Sequence, residues 1–229
     1  MDELSTLLID FSFWRAYIYI INASASRKVR WGFCITMIYL LIDGENFKRK
    51  IAAVLKVSDD KRLIWHEYDF KGLIDKVLKD IKIEHAIFYF ARVKEHPDTK
   101  EKSKILIEGQ RLLKTYLEKQ NFEVILSGRI RGQMEDGFLN KKVLVFKEKG
   151  VDVKIAVDMV SWSCDKKVNS IILGSSDSDL QPAIKEIRKR GVECIYLGFE
   201  NEPNKGLAFT TNRTILIRNS EILEFAKNK

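Results

Sequence analysis

Between residues 37 and 218 the chain keeps setting a short, continuously apolar run against a longer segment of helical periodicity, and this alternation restricts the fold more than any other feature. The runs are MIYLLID (37–43), HAIFYFARV (85–93), FEVILSG (122–128), NSIILGS (169–175), VECIYLGF (192–199) and RTILIR (213–218). Runs without polar alternation predict strands covered on both faces, as in parallel sheets, and parallel strands need crossovers long enough to hold a helix. The segments between them fit that need: NFKRKIAAVLK (46–56), the residues around FKGLIDKVLKDI within 57–82, KEKSKILIEGQRLLKTYLEKQ (100–120) and a helix that stops before Gly191. In the third of these, Ile105, Leu112, Leu113, Tyr116 and Leu117 fall on one stripe, which predicts an amphipathic helix. VDVKIAVDMVSWSC (151–164) suits strand or helix by periodicity, and its length favours a helix; KKVLVFKEKG (141–150) suits a short edge piece and 219–227 a terminal helix. The expectation is an α/β domain with a central, mainly parallel sheet covered on both faces.

The chain has 229 residues, with 45% apolar and 31% charged side chains, which suits a globular protein and excludes wholesale disorder. Lys and Arg outnumber Asp and Glu by 40 to 32, a net charge of +8 that tilts the expected partner toward a polyanion. Basic runs such as KRK (48–50) and RKR (188–190) are equally well explained as solvated helix faces. Three cysteines without a CxxC pair, and only three histidines, supply no zinc spacing and point to a reducing, cytoplasmic setting. Neither a GxGxxG fingerprint nor a P-loop is present, so dinucleotide and nucleoside triphosphate chemistry have no support. The first 36 residues differ from the rest: LSTLLIDFSFWRAYIYII (4–21) is apolar but broken by Asp10 and Arg15, and acidic Asp2 and Glu3 stand where a signal peptide carries positive charge. The segment is expected to be an extension, loosely ordered or foreign to the native protein, ahead of a domain spanning 37–229, and no stable membrane association is expected.

Chemistry enters with IILGSSDSDLQPAIKEI (171–187). Ser178 and Gln181 suit a capping box, with Pro182 in a first helical turn and Asp179 complementing the helix dipole. The same stretch also puts Asp177 and Asp179 at the carboxyl end of a strand, where open α/β sheets bind ligands. Asp43 ends the first strand, so successive βα units bring it to the same edge. Asp152, two residues after Gly150, belongs to the first turn of the 151–164 helix; Asp158 is six residues on, about 120° around the helix, and joins the cluster or backs it. Clustered carboxylates repel, and a hard divalent cation compensates them: oxygen donors without Cys or His suit Mg²⁺ or Mn²⁺, which activate water against a phosphodiester. A basic protein that hydrolyses a polyanion is the functional expectation.

LLIDGENF (40–47), EKGVDVKIAVDMV (148–160) and ILGSSDSDLQPAIKEIRKRGVECIYLG (172–198) together resemble the signature blocks of the NYN-domain family of PIN-like nucleases, over about 37 to 220. The resemblance implies a three-layer PIN-like fold and an Mg²⁺- or Mn²⁺-dependent ribonuclease. It implies catalytic roles for Asp43, Asp152, Asp177 and Asp179, metal contacts for these four and Asp158, and a polar role for Asn46. Ser176 departs from the family, which has glycine there. Lys149, Lys185 and Arg188 are the candidates to hold the phosphate backbone of RNA, and self-association is left open. The rival expectation is a PIN-like module that grips RNA without cutting it.

Overall fold

The structure is a computed structural model that describes residues 37–55, 64–95, 100–136 and 142–226; the expectations for residues 1–36 lie outside them. Seven strands form one sheet: β1 (Ile38–Asp43), β2 (His85–Arg92), β3 (Glu123–Asp136), β4 (Lys142–Lys149), β5 (Ser170–Gly174), β6 (Glu193–Phe199) and β7 (Arg213–Ile217). Their order is β4-β3-β2-β1-β5-β6-β7. All neighbouring pairs are parallel except β3 with β4, which is antiparallel and puts β4 at the edge. The helices are α1 (Gly44–Leu55), α2 (Phe70–Val77), α3 (Lys100–Lys119), α4 (Val151–Cys164), α5 (Gln181–Lys189), α6 (Lys205–Thr210) and α7 (Asn219–Glu224).

The continuous apolar runs are explained by β1, where Leu40, Leu41 and Ile42 are all 0% exposed although successive side chains point to opposite faces. Leu40 and Ile42 enter one core with Phe47 of α1, Leu73 of α2, Leu117 of α3 and Ile222 of α7. Leu41 enters the other with Ile155 and Met159 of α4 and Ile184 and Ile187 of α5. The result is an α/β arrangement of three layers. From central β1 the chain steps outward to β2 and β3, and later from β5 to β6 and β7 on the other side. The order therefore reverses between β1 and β5, which makes their carboxyl ends a topological switch point.

Two expectations change, and one helix was not anticipated. β3 runs eight residues past the anticipated end at 128, because RIRGQMED pairs with β4 from Arg129↔Lys149 to Asp136↔Lys142. On α3, Leu113 and Leu117 are buried and Tyr116 is partly so, but Ile105 is 61% and Leu112 41% exposed. Ile105 and Leu112 lie about 20° apart around the helix and share an outer side, whereas Ser103 in the first turn is 1% exposed; further along, Gln110 Nε2 donates to the Ala91 carbonyl (2.7 Å) and its Oε1 accepts from the Val93 N–H (3.2 Å) at the end of β2. Six-residue α6, too short for a periodic signal, is capped by Asn204, whose Oδ1 accepts from the Leu207 N–H (3.0 Å).

Two left-handed glycines join the β3–β4 ribbon to α4. Gly128 has φ +74° and lies so close to β4 that a Cβ there would stand 2.1 Å from the Lys149 carbonyl oxygen. Gly150 has φ +93°, packs against the Gly128 Cα and precedes the first residue of α4. This contact fixes where α4 starts and hence where Asp152 lies. Among the described residues no helix is long and apolar enough to cross a membrane.

Candidate active site

Asp43 closes β1 and caps α1: its Oδ1 accepts from the Asn46 N–H (3.0 Å), and only 7% of the residue is exposed. Two further contacts join this strand end to that of β5. Ser175 Oγ donates to Asp43 Oδ2 (3.5 Å) and accepts from the Asp177 N–H (3.1 Å), while Asn46 Oδ1 accepts from the Ser176 N–H (3.2 Å). Asn204 ties in the end of β6, donating from Nδ2 to the Ser176 carbonyl (2.8 Å) while its own N–H donates to Tyr196 Oη (3.0 Å). Ser176 has no positive φ, so serine is accommodated where the family has glycine.

The cap of the next turn is Asp177 rather than Ser178. Asp177 Oδ1 accepts from the Asp179 N–H (2.8 Å) and opens the 3₁₀ turn Ser178–Leu180, which leads into α5 with Pro182 in its first turn. An aspartate one residue earlier does the capping because the helix begins with a tighter turn than an α-helical capping box assumes.

Asp152, in the first turn of α4, is half-buried, and its Oδ1 is buried without a hydrogen-bond partner among the described residues. Burial raises its pKa, and the charges of Asp177 and Asp179 add to the rise. Asp43 is lifted from 3.8 to about 6, chiefly by burial; the Asn46 N–H opposes this, and the charges of Asp152, Glu45 and Asp177 reinforce it. The four aspartates expected to converge therefore act on one another at the carboxyl edge. Among the described residues no three acidic, histidine or cysteine side chains are drawn tightly enough to form a ready metal nest. The donor set is nonetheless all oxygen, and the orphaned Asp152 Oδ1 and the mutual repulsion fit a hard divalent cation.

Asp158 has other company. Tyr89 Oη donates to its Oδ2 (3.0 Å) and Lys154 Nζ pairs with its Oδ1 (2.5 Å), so both oxygens are engaged. Burial, and then the Asp158 charge, push the Tyr89 phenol far above its usual range, keeping it a donor at any working pH. Tyr89→Phe should cost about 1.5–3 kcal/mol, the worth of a buried hydrogen bond to a charged group, read as a lower urea midpoint. An unchanged midpoint would show that Lys154 alone satisfies the carboxylate.

The basic candidates divide. Lys149 is exposed at the end of β4, three residues before Asp152. Lys185 and Arg188 lie on α5, which leads away from the carboxylates; Arg188 is seven residues past Gln181, about 10 Å along the axis. Arg188 Nη1 donates to the Thr210 carbonyl (2.5 Å), and with Lys185 and Lys189 it lines a groove beside Val192 and Glu193, where β6 begins. Ser175, Asn204 and Tyr89 were not anticipated. Ser175 sits in the quoted SSDSD stretch, whereas nothing local marks the other two.

Carboxylates gathered at the switch point of a parallel sheet define a domain of the nuclease-like α/β class. Residues 37–217 match the model of the NYN domain, and the chain belongs to that family, one of PIN-like nucleases. A crystal structure of a protein of unknown function from Vibrio parahaemolyticus is similar in fold, with a TM-score of 0.53 and 17% identity over 80% of this chain and 93% of that one. No curated protein matches the sequence.

Proposed function

We propose that this protein is a ribonuclease that hydrolyses RNA phosphodiester bonds, with Asp43, Asp152, Asp177 and Asp179 holding Mg²⁺ or Mn²⁺. The observation that carries the reading is the set of mutually raised carboxyls, with Asp43 buried at about 6 and Asp152 Oδ1 left without a partner. Such a cluster costs stability by itself and becomes favourable when a cation neutralises it. Bound there, a divalent ion would activate water and offset the charge that develops on the phosphoryl group.

The chain's own residues prepare that centre. The Asn46 N–H and Ser175 Oγ hold the two oxygens of Asp43, and the Asp179 N–H occupies Oδ1 of Asp177, leaving its Oδ2 unengaged among the described residues. Asp158, held by Tyr89 and Lys154, anchors α4 behind Asp152 rather than serving as a ligand in this reading. Lys149, exposed three residues before Asp152, is the candidate to hold a phosphate of the same strand.

The test is incubation of labelled single-stranded RNA with the purified protein in Mn²⁺, Mg²⁺ or EDTA. Cleavage that requires a divalent ion, together with a melting temperature that rises on adding Mn²⁺ without RNA, is the expected result. Tight RNA binding without metal-dependent cleavage would instead assign the chain to the non-catalytic, RNA-gripping class.

A further inference from the structure

Three cations stand side by side across the β2, β3 and β4 strands. Arg92 on β2 is in register with Arg129 on β3, and Arg129 is in register with Lys149 on β4. All three are exposed, and none has an ion-pair or hydrogen-bond partner for its side chain among the described residues. Neighbouring strands lie about 4.8 Å apart, and like charges placed directly opposite each other weaken a sheet. The row is also built rather than incidental. The register shifts between Phe90 and Arg92. Continued unshifted from Phe90↔Leu126, it would set Arg92 against Gly128; the shift brings Arg129 alongside instead. One rung further out, the ribbon pairs Arg131 with Lys147.

The row lies toward the same edge of the sheet as the carboxylates, on the face opposite α4, since Ala91 and Ile130 turn into the core under α4. Lys149 precedes Asp152 by three residues, and Arg92 follows Tyr89, the residue in register with Asp43, by three, or about 10 Å along the strand. Three unneutralised charges on a line about 10 Å long match a single sugar–phosphate backbone. We infer that Arg92, Arg129 and Lys149 form a track that holds the phosphates of single-stranded RNA and leads the strand into the carboxylate cluster. The inference rests on the reading of RNA as substrate. Contacts of this kind position a strand without reading its bases, so the track binds irrespective of sequence.

The test uses the full chain in EDTA with a fluorescein-labelled oligouridylate, so binding is measured without cleavage. The triple variant Arg92→Gln, Arg129→Gln, Lys149→Gln should bind at least about tenfold more weakly than the unsubstituted protein. Its plot of log affinity against log salt should be shallower by about 2, from three phosphate contacts at roughly 0.7 each. Its melting temperature should stay level or rise, because a repelling row has been discharged. Arg129→Lys, which keeps the charge, should bind as the parent does. If the triple variant folds poorly, Arg92→Gln alone should flatten the slope by about 0.7. Unchanged affinity and slope in a folded variant would overturn the track, as would a loss confined to a blunt RNA duplex. Because these readings are taken in EDTA, the track stands or falls separately from metal-dependent cleavage.

Discussion

In EDTA at neutral pH, Asp43→Asn should melt roughly 5–10 °C above the unsubstituted protein, and in Mn²⁺ it should have lost RNA cleavage by orders of magnitude. The first effect follows from proton linkage. The Asp43 carboxyl titrates at about 6 in the folded chain against 3.8 for an ordinary aspartate. Between those values the folded state holds more protons than the unfolded one, so stability falls as pH rises from about 4 to about 6 and is level above. A shift of about two units corresponds to roughly 3 kcal/mol, which asparagine recovers at neutral pH because it has no charge to desolvate. Its carbonyl oxygen can still accept from the Asn46 N–H, so the start of α1 is preserved. At pH 4 parent and variant should melt together. The second effect follows from taking one anionic donor from the centre, so added Mn²⁺ should stabilise the parent more than the variant. Equal melting at pH 7 would remove the buried-charge account, and undiminished Mn²⁺-dependent cleavage by a folded variant would remove Asp43 from the chemistry.

Gly128→Ala should lower stability by about 3 kcal/mol or more, although the residue is exposed and on the sheet's outer half. An alanine there must keep φ near +74° and place its Cβ 2.1 Å from a backbone oxygen of β4, which no side-chain rotation relieves. The strands must part, and Gly150 and the start of α4 move with them. The urea midpoint should therefore fall, and the stabilisation by Mn²⁺ should fall further than the midpoint does, because Asp152 rides on that turn. Gly109→Ala on α3, where an added Cβ meets nothing within 4 Å, is the contrasting case and should gain about 0.5–1 kcal/mol. Equal effects at the two glycines would deny the close approach its role.

Strands β1, β2, β5 and β6 were legible because each is buried on both faces and so spells a solid apolar word, and edge strand β7 was legible from its apolar run although Leu216 is 38% exposed. The later half of β3 was not, since RIRGQMED owes its extended form to a partner strand rather than to its own composition. Residues 105 and 112 look like core in sequence; they share one side of α3, while Leu113 and Leu117, about 100–140° around the helix from Leu112, are the residues that enter the core. Asp43, Asp177 and Asp179 were legible from their places after apolar runs, and Asp152 from the glycine before it. Asp158 carried the same kind of signal yet answers to Tyr89, 69 residues away, through a contact with no trace in local spacing. Its pairing with Lys154 at i,i+4 was the clue that sequence did offer. The register of Arg92, Arg129 and Lys149 depends on a bulge and was invisible until the strands were laid together.

The central pairing of β1 with β5 joins Ile38 to Ser170, 132 residues further on, so the two ends of the aspartate cluster meet only when that length of chain has been made. During synthesis, Asp43 emerges early and has nothing to work with until Ser175 and Asp177 follow. A nascent chain in the act of being translated consequently carries no assembled centre, however well its first helices have formed, and a chain truncated before β5 can never acquire one. The closing of the sheet itself, a late, long-range and cooperative event, is therefore what assembles the centre, and the proposed activity would begin only with it.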